Sequence, residues 1–297
     1  MGELIRKMEN SGRNIIIYHH NHHLGFALFC KKYHLRILAS LFLVILNFPK
    51  LLAQSPPSEK YTPPVTVQEL WALKERLTYS VTFGFLQIGT VSLQLMPDTI
   101  YQGKSCHYIK AVIRSNPGIP LVGKKEKEYN SILMKNDTIP FTLLYWTNNS
   151  CKKLANEEVY RLDYDAGKVY AYKNLNPCDT LSLTEPSICG PVSLFYTRLY
   201  AGTNRNISIP IYIDEKRCKI EMDNMAEIQD IKCGCFKEDR LRTYVSRGDA
   251  NFSGPFGFNG KFTVWFTTDS LRIPVMAYLK VWLGNVKIRI IKYEKLN

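Results

Sequence analysis

The chain has 297 residues and a formal net charge of +13. This charge is dispersed: Lys124 and Lys125 are followed by Glu126 and Glu128 in an alternating stretch, which is typical of a solvated strand or turn. No basic run is long enough to indicate nucleic acid, so we expect no nucleic-acid partner. A weak attraction to anionic lipid headgroups stays open, and with it a peripheral association with a membrane.

An export signal is predicted near the start of the chain. Residues 37–48 read ILASLFLVILNF, an uncharged segment of about 12 residues, whereas a membrane span needs roughly 20. Lys31, Lys32 and Arg36 precede it, and the residues up to Ala53 offer a cleavage site. An uncleaved anchor is the alternative. We predict that residues 1–53 are a leader and signal peptide.

Cleavage would change the working composition of the protein. The part from residue 54 onward has 32 basic and 24 acidic residues, a net charge of about +8, and His107 as its single histidine. One histidine cannot supply a pair of metal ligands. Cys106 is adjacent to it, and adjacent strand residues point to opposite faces, so the two cannot form a local catalytic pair. We predict no metal and no cofactor, and an ordinary strand position for His107.

Seven cysteines follow residue 53, and an exported compartment permits disulfides. Cys178 and Cys189 bracket a short loop that a disulfide could close. Cys218 lies one hairpin from Cys233 and Cys235 and could pair with either. An odd number leaves at least one cysteine free or paired between chains. The Cys233–Cys235 spacing without a second pair is a weak redox or metal signal, and structural use or free thiols are preferred for it.

The predicted elements begin after a Pro- and Ser-rich linker over residues 54–66. One or two helical turns are predicted over residues 68–74. Alternate apolar residues from Leu77 to Phe83 indicate a half-buried strand. Residues 160–172 predict a hairpin, because Gly167 can supply the positive φ of a tight turn.

The second half continues this pattern. Residues 191–200 are the best helix candidate, since a proline begins the segment and Gly202 follows it. Residues 272–293 predict another hairpin with one apolar and one polar face. About a dozen strands without a βαβ rhythm predict one all-β domain over residues 67–297. We expect a strongly curved antiparallel sheet approaching an open barrel, with one short helix packed on it.

Three segments resemble the DUF3108 family. Residues 74–84, KERLTYSVTFG, followed by residues 87–93, QIGTVSL, are similar to the opening pattern of that family. Its closing hairpin is similar to TDSLRIPV at 268–275 followed by LKVWLGNV at 279–286. The helix between its halves is similar to PVSLFYTR at 191–198.

The resemblance covers residues 70–295 and departs from the family at Lys74, where a glycine is usual. It implies an exported all-β fold, located in the periplasm or at the inner face of the outer membrane of a Bacteroidetes-type Gram-negative bacterium. It implies no reaction.

The residues themselves favour a non-catalytic role. No nucleophile elbow or phosphate-binding glycine loop is present, and Asp163 and Asp165 flank a turn where solvation is expected. We therefore predict a binding or envelope-support protein for an apolar or lipid-like molecule or for an envelope protein. The alternative, a hydrolase of envelope polysaccharide or lipid, predicts carboxylates clustered in a cleft. A structural subunit of a surface complex is a third reading.

The ligand hypothesis depends on the density of aromatic residues on alternating strands. The candidate ligand-binding residues are Arg272, Trp265, Trp282, Phe256 and Phe258. Three features of this hypothesis have plainer alternatives. Arg272 could form an ion pair with Asp269, the glycine-rich segment 254–260 could be a plain connection instead of a lip over a cavity, and the predicted helix could fill the concave face.

Overall fold

A computed structural model describes residues 61–119, 124–136, 140–151, 154–190, 192–236, 240–253, 258–282 and 284–296. The predicted signal peptide, most of the predicted linker and Phe256 lie outside these residues. The described part contains two short helices, α1 (Val67–Ala72) and α2 (Val192–Thr197). Its strands are β1 (Glu75–Phe83), β2 (Leu86–Tyr101), β3 (Lys104–Ser115), β4 (Glu126–Met134), β5 (Thr142–Asn149), β6 (Leu154–Asp163), β7 (Lys168–Lys173), β8 (Asn176–Ser182), β9 (Arg205–Ile213), β10 (Lys216–Asn224), β11 (Ile228–Lys232), β12 (Arg240–Ala250), β13 (Phe258–Thr267), β14 (Pro274–Val281) and β15 (Gly284–Lys295).

All the strands belong to one antiparallel sheet in the order β8-β7-β6-β5-β4-β3-β2-β1-β15-β14-β13-β12-β10-β9, with β11 paired to β12. Most neighbours are hairpin partners in sequence. The pairing of β1 with β15, in which Val81 faces Ile288, joins the two halves of the chain across the middle of the sheet. The predicted antiparallel all-β architecture is confirmed.

The sheet curls until its two ends meet, but it does not close. The Tyr212 hydroxyl of β9 donates a hydrogen bond of 2.6 Å to the Ser182 carbonyl at the end of β8. The Ile188 amide, in the segment that follows β8, donates to the Pro210 carbonyl of β9 at 3.0 Å. Because these contacts replace a continuous strand ladder, the curved sheet approaches a barrel and remains open, as the sequence predicts.

Helix α1 is fixed by its first turn. Thr66 and Glu69 form a capping box, in which each side chain accepts a hydrogen bond from the backbone amide of the other residue. Leu70 and Trp71 are buried against the sheet. The helix ends at Ala72, and Lys74 then takes a φ of +42° before β1 begins. This left-handed conformation explains why a glycine would suit position 74.

We expect Lys74→Gly to raise the free energy of unfolding by about 0.5–1 kcal/mol. A side chain in the left-handed region costs roughly 1–2 kcal/mol, and the extra freedom of glycine in the unfolded chain offsets part of the gain. Urea denaturation of the two proteins measures the difference. Lys74→Ala is the control, because it removes the lysine side chain and keeps the Cβ. Equal gains from both substitutions would contradict the conformational explanation.

Helix α2 is shorter than the predicted helix over residues 191–200. After Thr197 the backbone amides of Arg198 and Leu199 bond three residues back, to Phe195 and Tyr196, so the chain tightens and leaves the α-helix. Gly202 then takes a φ of +73°, where an added Cβ would lie 2.6 Å from the Tyr244 ring.

The main hydrophobic core lies on the inner face of the curl. There α2 contributes Val192, Phe195 and Tyr196 to a cluster with the inward side chains of the central strands. The predicted packing of this helix on the sheet is confirmed.

Candidate apolar ligand site

A cavity of about 220 Å³ lies between α2 and the inner face of the sheet. Most of its walls are aliphatic or aromatic. The lining residues are Tyr79, Val91, Leu93, Ser193, Leu194, Thr197, Ile220, Met222, Phe262, Val264, Pro274, Met276, Ala277, Leu279 and Ile288. They come from six strands and the helix, so the cavity exists only when the sheet is curled.

The hydroxyl groups in the wall are already engaged as donors. Tyr79 donates to the Pro274 carbonyl at 2.9 Å. Thr197 donates to the Leu194 carbonyl at 2.8 Å, and Ser193 donates to the Gly190 carbonyl at 3.1 Å. Burial raises the pKa of Tyr79 well above its usual value, so its hydroxyl stays protonated. The wall therefore offers no free hydroxyl donor, and apolar cavities of this kind stay dry.

The concave face is thus partly core and partly cavity. Helix α2 fills one part of it with Phe195 and Val192, while Leu194 on the same helix lines the open part. Both sequence-based alternatives for this face, an open pocket and a face filled by the helix, describe a portion of it.

The predicted aromatic site residues that the structure describes, Phe258, Trp265 and Trp282, are not among the residues of the cavity wall. Phe258 packs between Phe252 and Phe262, with ring centroids 5.9 and 6.2 Å away, and Phe262 lines the cavity. Trp265 donates its indole N–H to Gln229 at 3.0 Å. Trp282 is 81% exposed at the tip of the β14–β15 hairpin.

Arg272 also lies outside the cavity wall. Its side chain is fully buried between the Tyr61 and Tyr244 rings. Its guanidinium donates to the backbone carbonyls of four residues, which are Thr62, Ala201, Thr268 and Asp269. The predicted ion pair with Asp269 is wrong, because the guanidinium takes the Asp269 carbonyl, and the Asp269 carboxylate accepts backbone amides instead. Arg272 therefore links three separate segments of the chain through hydrogen bonds to their backbone carbonyls.

The cysteines of the described residues are free thiols. Cys189 is buried and Cys178 is exposed, and no disulfide joins them. Burial raises the pKa of Cys189 to about 12. Cys218 and Cys233 belong to the main hydrophobic core, and Cys235 packs against it. Among the described residues Cys189, Cys218 and Cys233 are buried free thiols, and the disulfide pairings that the sequence suggests stay predictions.

His107 and Cys106 point to opposite faces, as predicted. Cys106 is buried in a small cluster with Ile132 and Leu143. The His107 ring stacks on Trp71 at 5.1 Å, and its Nδ1 lies 2.9 Å from the Asp98 carboxylate. The alternation of the strand could indicate the two faces, but the stacking partner comes from α1 and had no sequence signal.

A buried ion pair holds the end of α2. Arg198 pairs with Glu75 of β1, and both side chains are fully buried. Arg198 Nε also donates to the Leu271 carbonyl at 2.9 Å. Glu75 Oε2 and Arg198 Nη2 have no hydrogen-bond partner among the described residues.

Three carboxylates line an open cleft of about 590 Å³ on the described part of the chain, and all three are exposed: Glu221, Asp223 and Asp249. The acidic side chain that is buried in the described residues is Glu75, and it is paired with Arg198. Asp163, one of the carboxylates that flank a turn, accepts the Ala166 amide at 2.9 Å. No three potential metal ligands come together in the described residues. The candidate groups for the hydrolase hypothesis are therefore exposed carboxylates that share an open cleft with Arg247 and Lys261, and the buried carboxylate is already paired.

The fold and the cavity together define a curled antiparallel β protein with an apolar interior site. No helix in the described ranges is long and apolar enough to span a bilayer. The chain belongs to the DUF3108 family, whose description is "Protein of unknown function" and whose model matches residues 78–291. This finding confirms the resemblance that the sequence motifs indicate.

Two solved structures are similar to this chain. One is described as a β-barrel-like protein of domain of unknown function DUF1849 from Brucella abortus, with 10% identity and a TM-score of 0.48 over 80% of this chain and 100% of that one. The other is described as a putative exported protein with a YmcC-like fold from Bacteroides fragilis, with 10% identity and a TM-score of 0.33 over 79% of this chain and 99% of that one. A search of curated proteins found no match.

Proposed function

We propose that this protein is an exported cell-envelope protein that binds an apolar, lipid-like molecule in its interior cavity. One observation carries the proposal: the wall of the cavity is apolar, and its hydroxyl protons are donated to backbone carbonyls. Such a wall favours hydrocarbon over water, because water needs two to four polar partners. The leader and signal peptide predicted over residues 1–53 support the location in the periplasm or at the outer membrane.

The size of the cavity limits the ligand. Its volume of about 220 Å³ exceeds the roughly 150 Å³ cavity that binds benzene in another protein. It is smaller than the sites of about 300–1,000 Å³ that enclose drug-sized molecules. The occupant that fits is therefore an alkyl chain or part of one, with any polar headgroup outside the wall.

We expect Ala277→Phe to weaken the binding of an apolar ligand at least about tenfold. Ala277 lines the cavity, and an aromatic ring there would displace ligand carbon. Each methylene that loses its burial costs about 0.8 kcal/mol, so losing two suffices for a tenfold effect. The measurement is a fluorescence titration with N-phenyl-1-naphthylamine, followed by displacement with straight-chain fatty acids.

Two further variants make this result specific. Ala226→Phe adds the same volume at an exposed position and should leave the affinity unchanged. Leu279→Ala enlarges the cavity and should shift the preference toward longer or bulkier chains. Native mass spectrometry of protein from its own envelope would show a co-purified lipid. No binding by the unsubstituted protein, or equal loss in both phenylalanine variants, would overturn the proposal.

A further inference from the structure

Two aromatic side chains stand in solvent at neighbouring hairpin tips. Phe85, between β1 and β2, is 95% exposed, and Trp282, between β14 and β15, is 81% exposed. They are the most exposed large hydrophobic side chains of the described residues. A hairpin turn needs neither of them, because glycine and polar residues suit tight turns better.

The register of the sheet brings these tips together. Phe83 at the end of β1 faces Val286 of β15, and Val281 at the end of β14 faces Gly284 of β15. The two hairpins are therefore adjacent in the sheet order β2-β1-β15-β14. Neighbouring strands are about 5 Å apart, so the centres of the two tips lie about 10 Å from each other.

Four lysines surround the tips. Lys280 precedes Trp282 on β14, and Lys261 lies on the adjoining strand β13. Lys124 and Lys125 precede β4, where the Lys125 carbonyl accepts the Ser115 amide at 2.9 Å, and the next amide, that of Asn116, donates to the Ile88 carbonyl of β2 at 2.8 Å.

These lysine side chains are exposed, and none forms an ion pair with a described residue. Lys261 lines an open cleft with Arg247 and with the exposed acids Glu221, Asp223 and Asp249. Lys124, Lys125 and Lys280 do not line that cleft, and the charge on their side of the aromatic tips is positive.

We infer that this edge, formed by Phe85, Trp282 and the four lysines, docks on an anionic lipid bilayer. Aromatic side chains such as Trp are favoured at the boundary between headgroups and acyl chains. Each lysine near an anionic surface strengthens binding about fivefold. This edge of the sheet therefore combines aromatic side chains with lysines, and neither Phe85 nor Trp282 packs in the protein core.

The same edge also has an acidic tip, which fixes the orientation of the contact. Asp214 and Glu215 join β9 to β10, the third strand beyond β14 in the sheet order, and Lys216 offsets part of their charge. An anionic surface repels these two carboxylates. The bilayer contact therefore lies on the side from β14 to β4, which carries Lys280, Lys124 and Lys125, with Lys261 at its margin on β13.

The docking edge also borders the interior cavity. Val91, Leu279 and Ile288 line the cavity and also pack on the cluster Val81, Val281 and Val286, which lies directly behind the tips. Docking would bring the apolar site close to the acyl chains. The inference does not depend on ligand binding, because the tips are separate from the cavity wall.

Sedimentation with lipid vesicles tests the inference. The protein is the chain from residue 54, whose compact unit Tyr61–Asn297 has its own hydrophobic core, so the predicted signal segment cannot contribute. It should bind vesicles of equal phosphatidylglycerol and phosphatidylcholine and should not bind phosphatidylcholine alone. The double variant Phe85→Ser with Trp282→Ser should bind at least about tenfold more weakly. The double variant Lys124→Glu with Lys280→Glu should also bind more weakly, and its loss of affinity should be larger at low salt than at high salt.

The opposite edge offers matched controls. Ile100, 77% exposed, and Lys104 lie at the β2–β3 hairpin, so Ile100→Ser and Lys104→Glu should leave binding unchanged. Brominated lipid should quench the tryptophan fluorescence of the unsubstituted protein more than that of the Trp282→Phe variant. Absence of vesicle binding, or equal loss from the controls, would refute the inference. Binding of N-phenyl-1-naphthylamine without vesicles should survive in the Phe85 and Trp282 double variant, which separates a failure of docking from a failure of the cavity.

Discussion

Replacement of Arg272 by methionine is expected to lower the free energy of unfolding by about 4 kcal/mol or more. The guanidinium is fully buried and donates to four backbone carbonyls that belong to three separate segments of the chain. Methionine has a similar length and no donor. Each carbonyl left buried without a partner costs about 1–3 kcal/mol, and water can reach only some of them. Urea denaturation of the chain from residue 54 measures the loss.

Two other variants separate the geometry of Arg272 from its charge. Arg272→Lys keeps the charge, but a lysine ammonium cannot donate to four acceptors as the planar guanidinium does. We therefore expect the loss of unfolding free energy to be intermediate. Arg76→Met removes a half-exposed arginine that pairs with Gln94 and should cost less than about 1 kcal/mol. A stable Arg272→Met protein that loses its apolar ligand would instead show that Arg272 is a ligand-binding residue.

Arg272 also shows what sequence patterns cannot predict. Its partners are the carbonyls of Thr62, Ala201 and the loop at Thr268 and Asp269, which are up to 210 positions away in the chain. Backbone carbonyls are the same at every residue, so they leave no trace in the sequence. The carboxylate of Asp269 was the visible partner three positions away, but it is used to cap the loop.

The strands were more predictable than their arrangement. Alternation between Leu77 and Phe83 predicts β1 well, because one face is buried and the other is half-exposed. Alternation does not say which strand lies beside it. The pairing of β1 with β15 joins residues more than 200 positions apart and connects the two halves of the sheet. The end of helix α2 was also not predictable, because the backbone tightens to bonds three residues back at Arg198, whose side chain is held by Glu75 and by the Leu271 carbonyl, both distant in the sequence.

The sequence predicts an apolar inner face but not the residues that line its cavity. Aromatic density indicates an apolar interior, yet the wall consists mainly of aliphatic residues such as Val91, Leu93 and Leu279. These residue types also form any strand core, so the sequence gives no sign of which ones face empty space. Trp282 was selected for ligand binding, whereas its exposed position suits contact with a membrane.

The pair of Glu75 and Arg198 should show strong coupling in a double-mutant cycle. Arg198→Met alone leaves a buried carboxylate without its partner, and Glu75→Leu alone leaves a buried guanidinium without its partner. Removal of one member of a buried pair costs about 3–5 kcal/mol. The double variant should lie within about 2 kcal/mol of the unsubstituted protein, because two apolar side chains of similar size need no partner. Urea denaturation of all four proteins gives the coupling energy.

The same cycle tests whether the ion pair supports the cavity. Arg198 follows α2 directly and ties it to β1 through Glu75 and to the β13–β14 loop through the Leu271 carbonyl, while Ser193, Leu194 and Thr197 of that helix line the cavity. If the pair positions the helix, each single variant should bind N-phenyl-1-naphthylamine more weakly, and the double variant should recover part of the affinity. Lys110→Met, which breaks the half-exposed pair with Glu128, should change neither property much. Additive losses in the cycle would show that the two side chains act separately, and α2 would then be held by its apolar contacts alone.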